Sequence, residues 1–176
     1  LQHDPAISEQ LRERFPEAVV SASPGPIDPW IEIAPERLAE VAAWLKNDPA
    51  QDYDYLNGLC VIDYFTADKK LAEAVGAARL VVVYHLSNLS RKRQLTLKVT
   101  LPRWANAASE TPPTLPSLAA LWATAEWHEC EAYDLSGVEF TNHPHLRRIL
   151  CPEDWVGHPL RKDYQMPLEY HGIRGR

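Results

Sequence analysis

Apolar positions recur along this chain first at a spacing of four, then in alternation, then at helical spacing again, and finally with no period at all. In AISEQLRERF, Ile7, Leu11 and Phe15 place one apolar face on a helix. Asp4 stands where an N-cap would accept from the first turn, Pro5 sits at the first helical position, and Pro16 ends the run. SASPGPIDP reads as a Pro/Gly loop, and WIEIA after it alternates as a short strand. Pro35 opens a second helix, PERLAEVAAWLKND, with Leu38, Val41, Ala42 and Leu45 on its stripe and a stop at Asn47 to Pro49.

The middle of the chain turns to strands. YLNGLCVIDYF is apolar and aromatic around a central Gly58, which predicts a buried strand that bends or approaches another backbone closely. RLVVVYHL is a β-branched run. QLTLKVTL puts Leu95, Leu97, Val99 and Leu101 on one face and Thr96, Lys98 and Thr100 on the other, so the two runs around SNLSRKR predict an antiparallel hairpin. Its basic turn reads as a solvated tip in preference to a binding patch. After the loop ANAASETPPTLPS, a helix is predicted from Leu118 to Leu135, capped by Ser117, with Leu118, Leu121, Trp122, Ala125 and Ala132 buried. The predicted fold class is α+β: a mixed or antiparallel sheet with helices packed on one side, spanning about residues 1–140.

Residues 141–176 break the rule. HPHLRRILCPEDWVGHPLRKDYQMPLEYHGIRGR has no sustained period and four prolines, yet it carries Leu146, Ile149, Leu150, Trp155, Leu160, Tyr164, Leu168, Tyr170 and Ile173. Disordered tails are depleted in such side chains. An extended segment cannot bury them against itself, so they are expected to pack on a surface supplied by the domain or by another protein. Its arginines would then meet carboxylates or backbone carbonyls there.

Composition narrows the function classes. The 176 residues are 45% apolar and 24% charged, an ordinary globular balance, and the longest apolar stretches fall far short of a membrane span of roughly 20 residues. A net charge of −6 disfavours a general nucleic-acid binder. The charge is uneven, at +2 from His143 to Arg176 and −8 elsewhere. Cys60, Cys130 and Cys151 form neither a zinc nor an iron–sulfur spacing and suggest a reducing compartment. LQHDPAISEQ has no leader or transit pattern, and its opening Leu leaves room for upstream residues.

Candidate chemistry is sparse. The seven histidines lack close ligand pairs and HExxH, and the two His–Pro pairs, His143-Pro144 and His158-Pro159, read as hydrogen-bonding turn anchors. Glu129, Glu131 and Asp134 form an acidic group at the end of the last helix. Glu131 and Asp134, three apart, can share a face and receive Arg147, Arg148 or Arg161. No GxSxG, Walker or dinucleotide fingerprint is present.

EAYDLSGVEFTNHPHLRRILCPEDWVGHPLRKDY closely resembles the signature stretch of the 30-kilodalton subunit family of NADH:quinone oxidoreductase, respiratory complex I, where that subunit is lettered C. The resemblance extends upstream through YDYLNGLCVIDY, RLVVVYHL, QLTLKVTLPR and TLPSLAALWATAEWHECEAYD, covering about residues 53–173, while residues 1–50 match only in pattern. Three places depart from the family: Glu129-Cys130-Glu131 stands for Glu-Arg-Glu, Ser136 for Phe, and Asn142-His143-Pro144-His145 for Gly-His-Pro-Asp. The HPLRKDY core, residues 158–164, is intact.

The resemblance implies a cofactor-free structural and assembly subunit of the hydrophilic arm, peripheral on the cytoplasmic face of the bacterial inner membrane. It implies no flavin, iron–sulfur cluster or quinone site on this chain, although the assembled enzyme uses FMN, iron–sulfur clusters and quinone to carry electrons from NADH. The implied partners are other complex I subunits, chiefly the 49-kilodalton one (lettered D), with no nucleic acid and no membrane span. The partner-contact residues carried over by the motif are His143, Pro144, Arg147, Arg148, His158, Arg161, Lys162 and Asp163. Arg161→Ala is expected to weaken incorporation without unfolding residues 1–135. Two alternatives accompany this reading: the equivalent subunit of a membrane-bound hydrogenase or an F420H2- or ferredoxin-dependent dehydrogenase, and a free-standing acid/base or metal enzyme using Glu131, Asp134 and His143.

Overall fold

A computed structural model describes residues 2–175 except Pro5, Pro26 and Ile27. Pro5 as the first helical residue, and Pro26 and Ile27 of SASPGPIDP, therefore lie outside the described residues; residues 21–23 of that segment are strand, paired with residues 30–32, and not loop. The chain begins with β1 (Gln2–His3) and α1 (Ile7–Arg14), where the Asp4 side chain accepts from Ala6 N–H at 3.0 Å and Ile7, Leu11 and the following Phe15 are buried. β2 (Val19–Ser23) and β3 (Trp30–Ile33) follow, then a single 3₁₀ turn at Pro35–Arg37 that leads into α2 (Leu38–Asn47). The α2 stripe Leu38, Val41, Ala42 and Leu45 is fully buried, as its spacing requires.

β4 (Tyr55–Tyr64), β5 (Arg79–Asn88) and β6 (Arg93–Pro102), with the helix α3 (Lys69–Val75) between β4 and β5, complete the main sheet, whose order is β2-β3-β6-β5-β4. β5 and β6 form the predicted hairpin, in register from Arg79↔Pro102 to Asn88↔Arg93. β1 and β3 both run parallel to β6 along its other edge, which makes the sheet mixed. Leu80, Val82, Tyr84 and Leu86 of β5 face Leu101, Val99, Leu97 and Leu95 of β6 across the ladder, and all eight join the helices' buried residues in one core. That burial is the dominant stabilising term.

Two strand expectations change. β4 is an edge strand, with Leu56 and Leu59 inward and Tyr55 and Ile62 exposed. Gly58 marks a register shift after Leu56, and a Cβ there would meet nothing within 4 Å, so it serves the bend and not a close approach. The hairpin tip, residues 89–92, is exposed as its basic sequence suggests, and it is tethered as well: Arg91 donates to the Pro49 and Ala50 carbonyls, and Arg93 pairs with Asp4 at 2.8 Å.

β7 (Thr114–Pro116), α4 (Ala125–Ser136) and β8 (Glu139–Thr141) form a parallel pair of short strands flanking a helix. α4 starts at Ala125 and not at Leu118. Side-chain bonds hold residues 117–124 in turns instead: Trp122 Nε1 donates to Tyr53 O at 2.9 Å, Thr124 Oγ1 to Leu56 O at 3.1 Å, and Ser117 Oγ donates to Glu129 while accepting from Ala119 N–H at 3.1 Å. Beyond β8 the chain is a strap of turns without a helix, closing in a two-stranded hairpin of β9 (Glu169–Tyr170) and β10 (Ile173–Arg174).

Candidate functional site

The C-terminal end of α4 is the anchor of the strap. An α-helix leaves its last carbonyls without intrahelical donors, and here strap residues supply them. Asp134 O accepts from Arg148 Nη1 and His158 Nδ1, each at 3.0 Å; Leu135 O accepts from Leu160 N–H at 2.8 Å; Ser136 O and Gly137 O accept from Arg161 Nε and Nη2 at 2.6 and 3.1 Å. Two guanidiniums at the negative end of the helix dipole add favourable charge. Gly137 takes the left-handed C-cap conformation (φ +68°), and a Cβ on it would stand 2.5 Å from the His158 ring, so glycine admits both the turn and the imidazole.

The Asp134 carboxylate, wholly buried, adds a second set of bonds. Oδ1 accepts from Arg148 at 2.7 Å, and Oδ2 accepts from the successive N–H groups of Ile149, Leu150 and Cys151 at 3.0, 2.7 and 2.9 Å. Burial alone would raise its pKa, but these donors outweigh it and hold the carboxyl down at about 2.

A second clamp lies at the end of β6. Arg103 is bidentate to Asp63 of β4 (Nε–Oδ1 and Nη2–Oδ2, both 2.9 Å) and bidentate to Asp163 of the strap (Nη1–Oδ2 2.9 Å, Nη2–Oδ1 2.6 Å). Lys162 N–H donates to Asp63 Oδ2 at 3.0 Å, and Arg161 Nη1 donates to Arg103 O at 2.7 Å while its guanidinium lies 4.0 Å over the Trp104 ring. Arg161 is 5% exposed. Burial, reinforced by the nearby Arg103 charge, brings its pKa down to about 10, so it stays charged at neutral pH. The hydrogen bonds that Arg103 donates to Asp163 lead the causes that raise its pKa.

The third contact is where the strap leaves β8. The His143 ring is fully buried: Nε2 donates to Glu126 O at 3.0 Å, and Nδ1 accepts from His145 N–H at 3.0 Å, which is the turn-anchor geometry expected of a His–Pro pair. Cys130 and Glu129 lie 3.8 Å from the same Nε2. Glu129 accepts from Ser117 Oγ at 2.5 Å and Leu118 N–H at 2.7 Å, yet burial pushes its pKa up to about 7. A carboxyl with a raised folded-state pKa contributes stability that is complete below its ordinary 4.5 and lost as pH rises through about 7. The stability of the chain against denaturant should therefore fall by up to about 3 kcal/mol between pH 4.5 and 7.5. Glu129→Gln should flatten that slope; a slope unchanged by the substitution rules Glu129 out as its source.

The eight motif residues do not form one surface. His143, Arg148, His158, Arg161 and Asp163 bond to their own domain, whereas Pro144, Arg147 and Lys162 have exposed side chains, with Arg147 5.5 Å over the Trp127 ring. Glu131 is exposed while Asp134 is buried, so these two carboxylates do not share an environment. Asp134 does receive Arg148. Asp63 and Arg103 carry half of the clamp, and sequence reading did not single them out. Among the described residues, no group of three or more His, Cys, Asp or Glu side chains is placed to hold a metal.

Residues 31–170 match the family described as "Respiratory-chain NADH dehydrogenase, 30 Kd subunit". The chain belongs to that family. The subunit lettered C in the NADH-quinone oxidoreductase of Roseiflexus castenholzii is 38% identical over 94% of this chain and 86% of its own length. The same-named protein of Chlorobium phaeobacteroides is 34% identical over 96% and 93%. Among solved structures, a trypsin-resistant fragment of Nqo5 superposes with a TM-score of 0.60 at 26% identity, covering 80% of this chain and 98% of that one. A chain of a membrane-bound sulfane sulfur reductase, an archaeal respiratory membrane complex, reaches the same TM-score at 17% identity over 91% and 84%, a likeness of fold alone. The resemblance to the 30-kilodalton family and the α+β fold with its mixed sheet therefore both hold, and the chain is a subunit of complex I.

Proposed function

We propose that this chain is a structural and assembly subunit of the hydrophilic arm of proton-translocating NADH:quinone oxidoreductase, that it binds no cofactor itself, and that its strap docks on the 49-kilodalton subunit at the cytoplasmic face of the membrane. The observation that carries this reading is the two-sidedness of the strap. Its inner side spends its arginines and aspartates on its own domain. Its outer side leaves Leu150, Val156, Leu160, Met166, Leu168 and Ile173 bare, with Val156 85% and Leu168 81% exposed. Six large apolar side chains bared along one segment of thirty-odd residues that buried ion pairs hold in place favour docking on a neighbouring protein. Burying each returns about 1.5–3 kcal/mol. No helix among the described residues is long and apolar enough to cross a membrane, which suits a subunit held in place by its neighbours.

The test is a native pull-down through a tag on this chain. The wild type should bring a multisubunit NADH dehydrogenase with it. Leu160→Asp with Leu168→Asp, both on the outer side, should keep the wild-type unfolding midpoint yet lose the complex and its NADH:quinone reductase activity. Full recovery of the complex by that double variant overturns the docking reading.

A further inference from the structure

A cleft of about 540 Å³ opens between the strap and the loop after β6. Trp104, Trp155, Tyr164 and Tyr170 line it, with the Trp155 and Tyr170 rings 5.0 Å apart and tilted by 53°. Gly157 holds one wall close, since a Cβ there would come within 2.9 Å of the Tyr164 ring.

The charges around these rings are one-sided. Four carboxylates, Glu110, Asp154, Asp163 and Glu169, line the cleft with one guanidinium, Arg161. Arg161 is spent on three carbonyls and the Trp104 face. Asp163 is spent on Arg103, and Asp154 accepts from the Tyr170 hydroxyl at 2.6 Å and contacts His171 Nε2 at 2.7 Å. Glu110 and Glu169 have no ion-pair partner among the described residues. Trp155 Nε1 and the Tyr164 hydroxyl are buried and lack partners as well.

We infer that this cleft receives an arginine side chain presented on an extended segment of the neighbouring subunit. Aromatic faces attract a guanidinium through their quadrupoles, and two unspent carboxylates provide forked acceptors for it. Val156, 85% exposed, is part of the cleft's lining, so the cleft shares a residue with the bare apolar side of the strap. The inference rests on the docking reading above and adds to it the chemistry of the partner.

The experiment titrates the full chain with the capped pentapeptide Gly-Gly-Arg-Gly-Gly, following the indole N–H resonances of Trp104 and Trp155. Gly-Gly-Glu-Gly-Gly is the control. The arginine peptide should shift both resonances saturably, the glutamate peptide should not, and Glu110→Gln with Glu169→Gln should weaken binding by roughly fivefold. Absence of a saturable shift, equal shifts from both peptides, or unchanged binding by the double variant each overturns the arginine assignment. A silent titration alongside successful recovery of the complex by the wild-type chain refutes the cleft alone. Failure of the pull-down refutes the docking reading and this inference with it.

Discussion

Arg103→Leu should cost the isolated chain about 3–5 kcal/mol, the range for removing one partner of a buried ion pair. Asp63 is 7% exposed and would keep only the Lys162 N–H, so its charge would be left in a dry site. Asp163 would lose both of its bonds to the domain and release the strap from the end of β6. The Phe65 ring would lose the guanidinium stacked at 4.3 Å. For a chain of this size each kcal/mol moves the unfolding midpoint by roughly 2–4 °C, so a fall of about 10 °C is expected. Adding Asp63→Asn removes the stranded charge and should restore part of the loss, giving a coupling energy that isolates the pair. Hydrogen exchange would separate local from global effects: amides of residues 158–165 should open before those of β5 and β6. A midpoint within about 2 °C of wild type would show that the double fork contributes little.

Arg161 illustrates how the strap was partly legible. Its sequence context set it against carboxylates or carbonyls of some surface, and the acceptors are indeed carbonyls, but those of Arg103, Ser136 and Gly137 in its own chain. Pattern reading could tell that the guanidinium needed a partner and could not tell whose. Asp134 was within reach of the same logic because it lies only fourteen residues from Arg148. Arg103 and Asp63 were not: they lie forty residues apart, and Asp163 a further sixty on. Each looks like an ordinary charge at a strand end or in a polar run until the hairpin brings them together.

The elements divide in the same way. The hairpin and α2 were readable because a whole face of each is buried, so their periods are strong. α3 carries no buried residue, and so no apolar stripe announces it; only Asp68, accepting from the N–H groups of Lys70 and Leu71, marks its start. β2 was missed because Val20 on it is exposed and its neighbours are small, leaving no alternation to detect. The late start of α4 reflects tertiary bonds to Tyr53 and Leu56 that override a sequence with good helical propensity.

Asp134→Asn should loosen the strap by about 3 kcal/mol or more, the cost of stranding a buried charge, and its pH dependence makes the cause identifiable. The native carboxylate accepts three consecutive backbone N–H groups and one guanidinium. An asparagine keeps one acceptor oxygen, places an amide donor against donors, and leaves Arg148 without its counter-charge. The folded-state pKa of about 2 lies below the ordinary 3.8, so the ionised group contributes stability that is present above about 3.8 and lost as pH falls through about 2. That difference corresponds to roughly 2–3 kcal/mol. Urea midpoints of the wild-type chain should therefore decline between about pH 4 and pH 2, and those of the variant should start lower and decline less steeply over the same window. The two curves must converge in acid, because there the wild-type carboxyl has also lost its charge. Parallel curves across the window would assign the acid loss to other carboxylates and remove Asp134 as the principal lock on the strap.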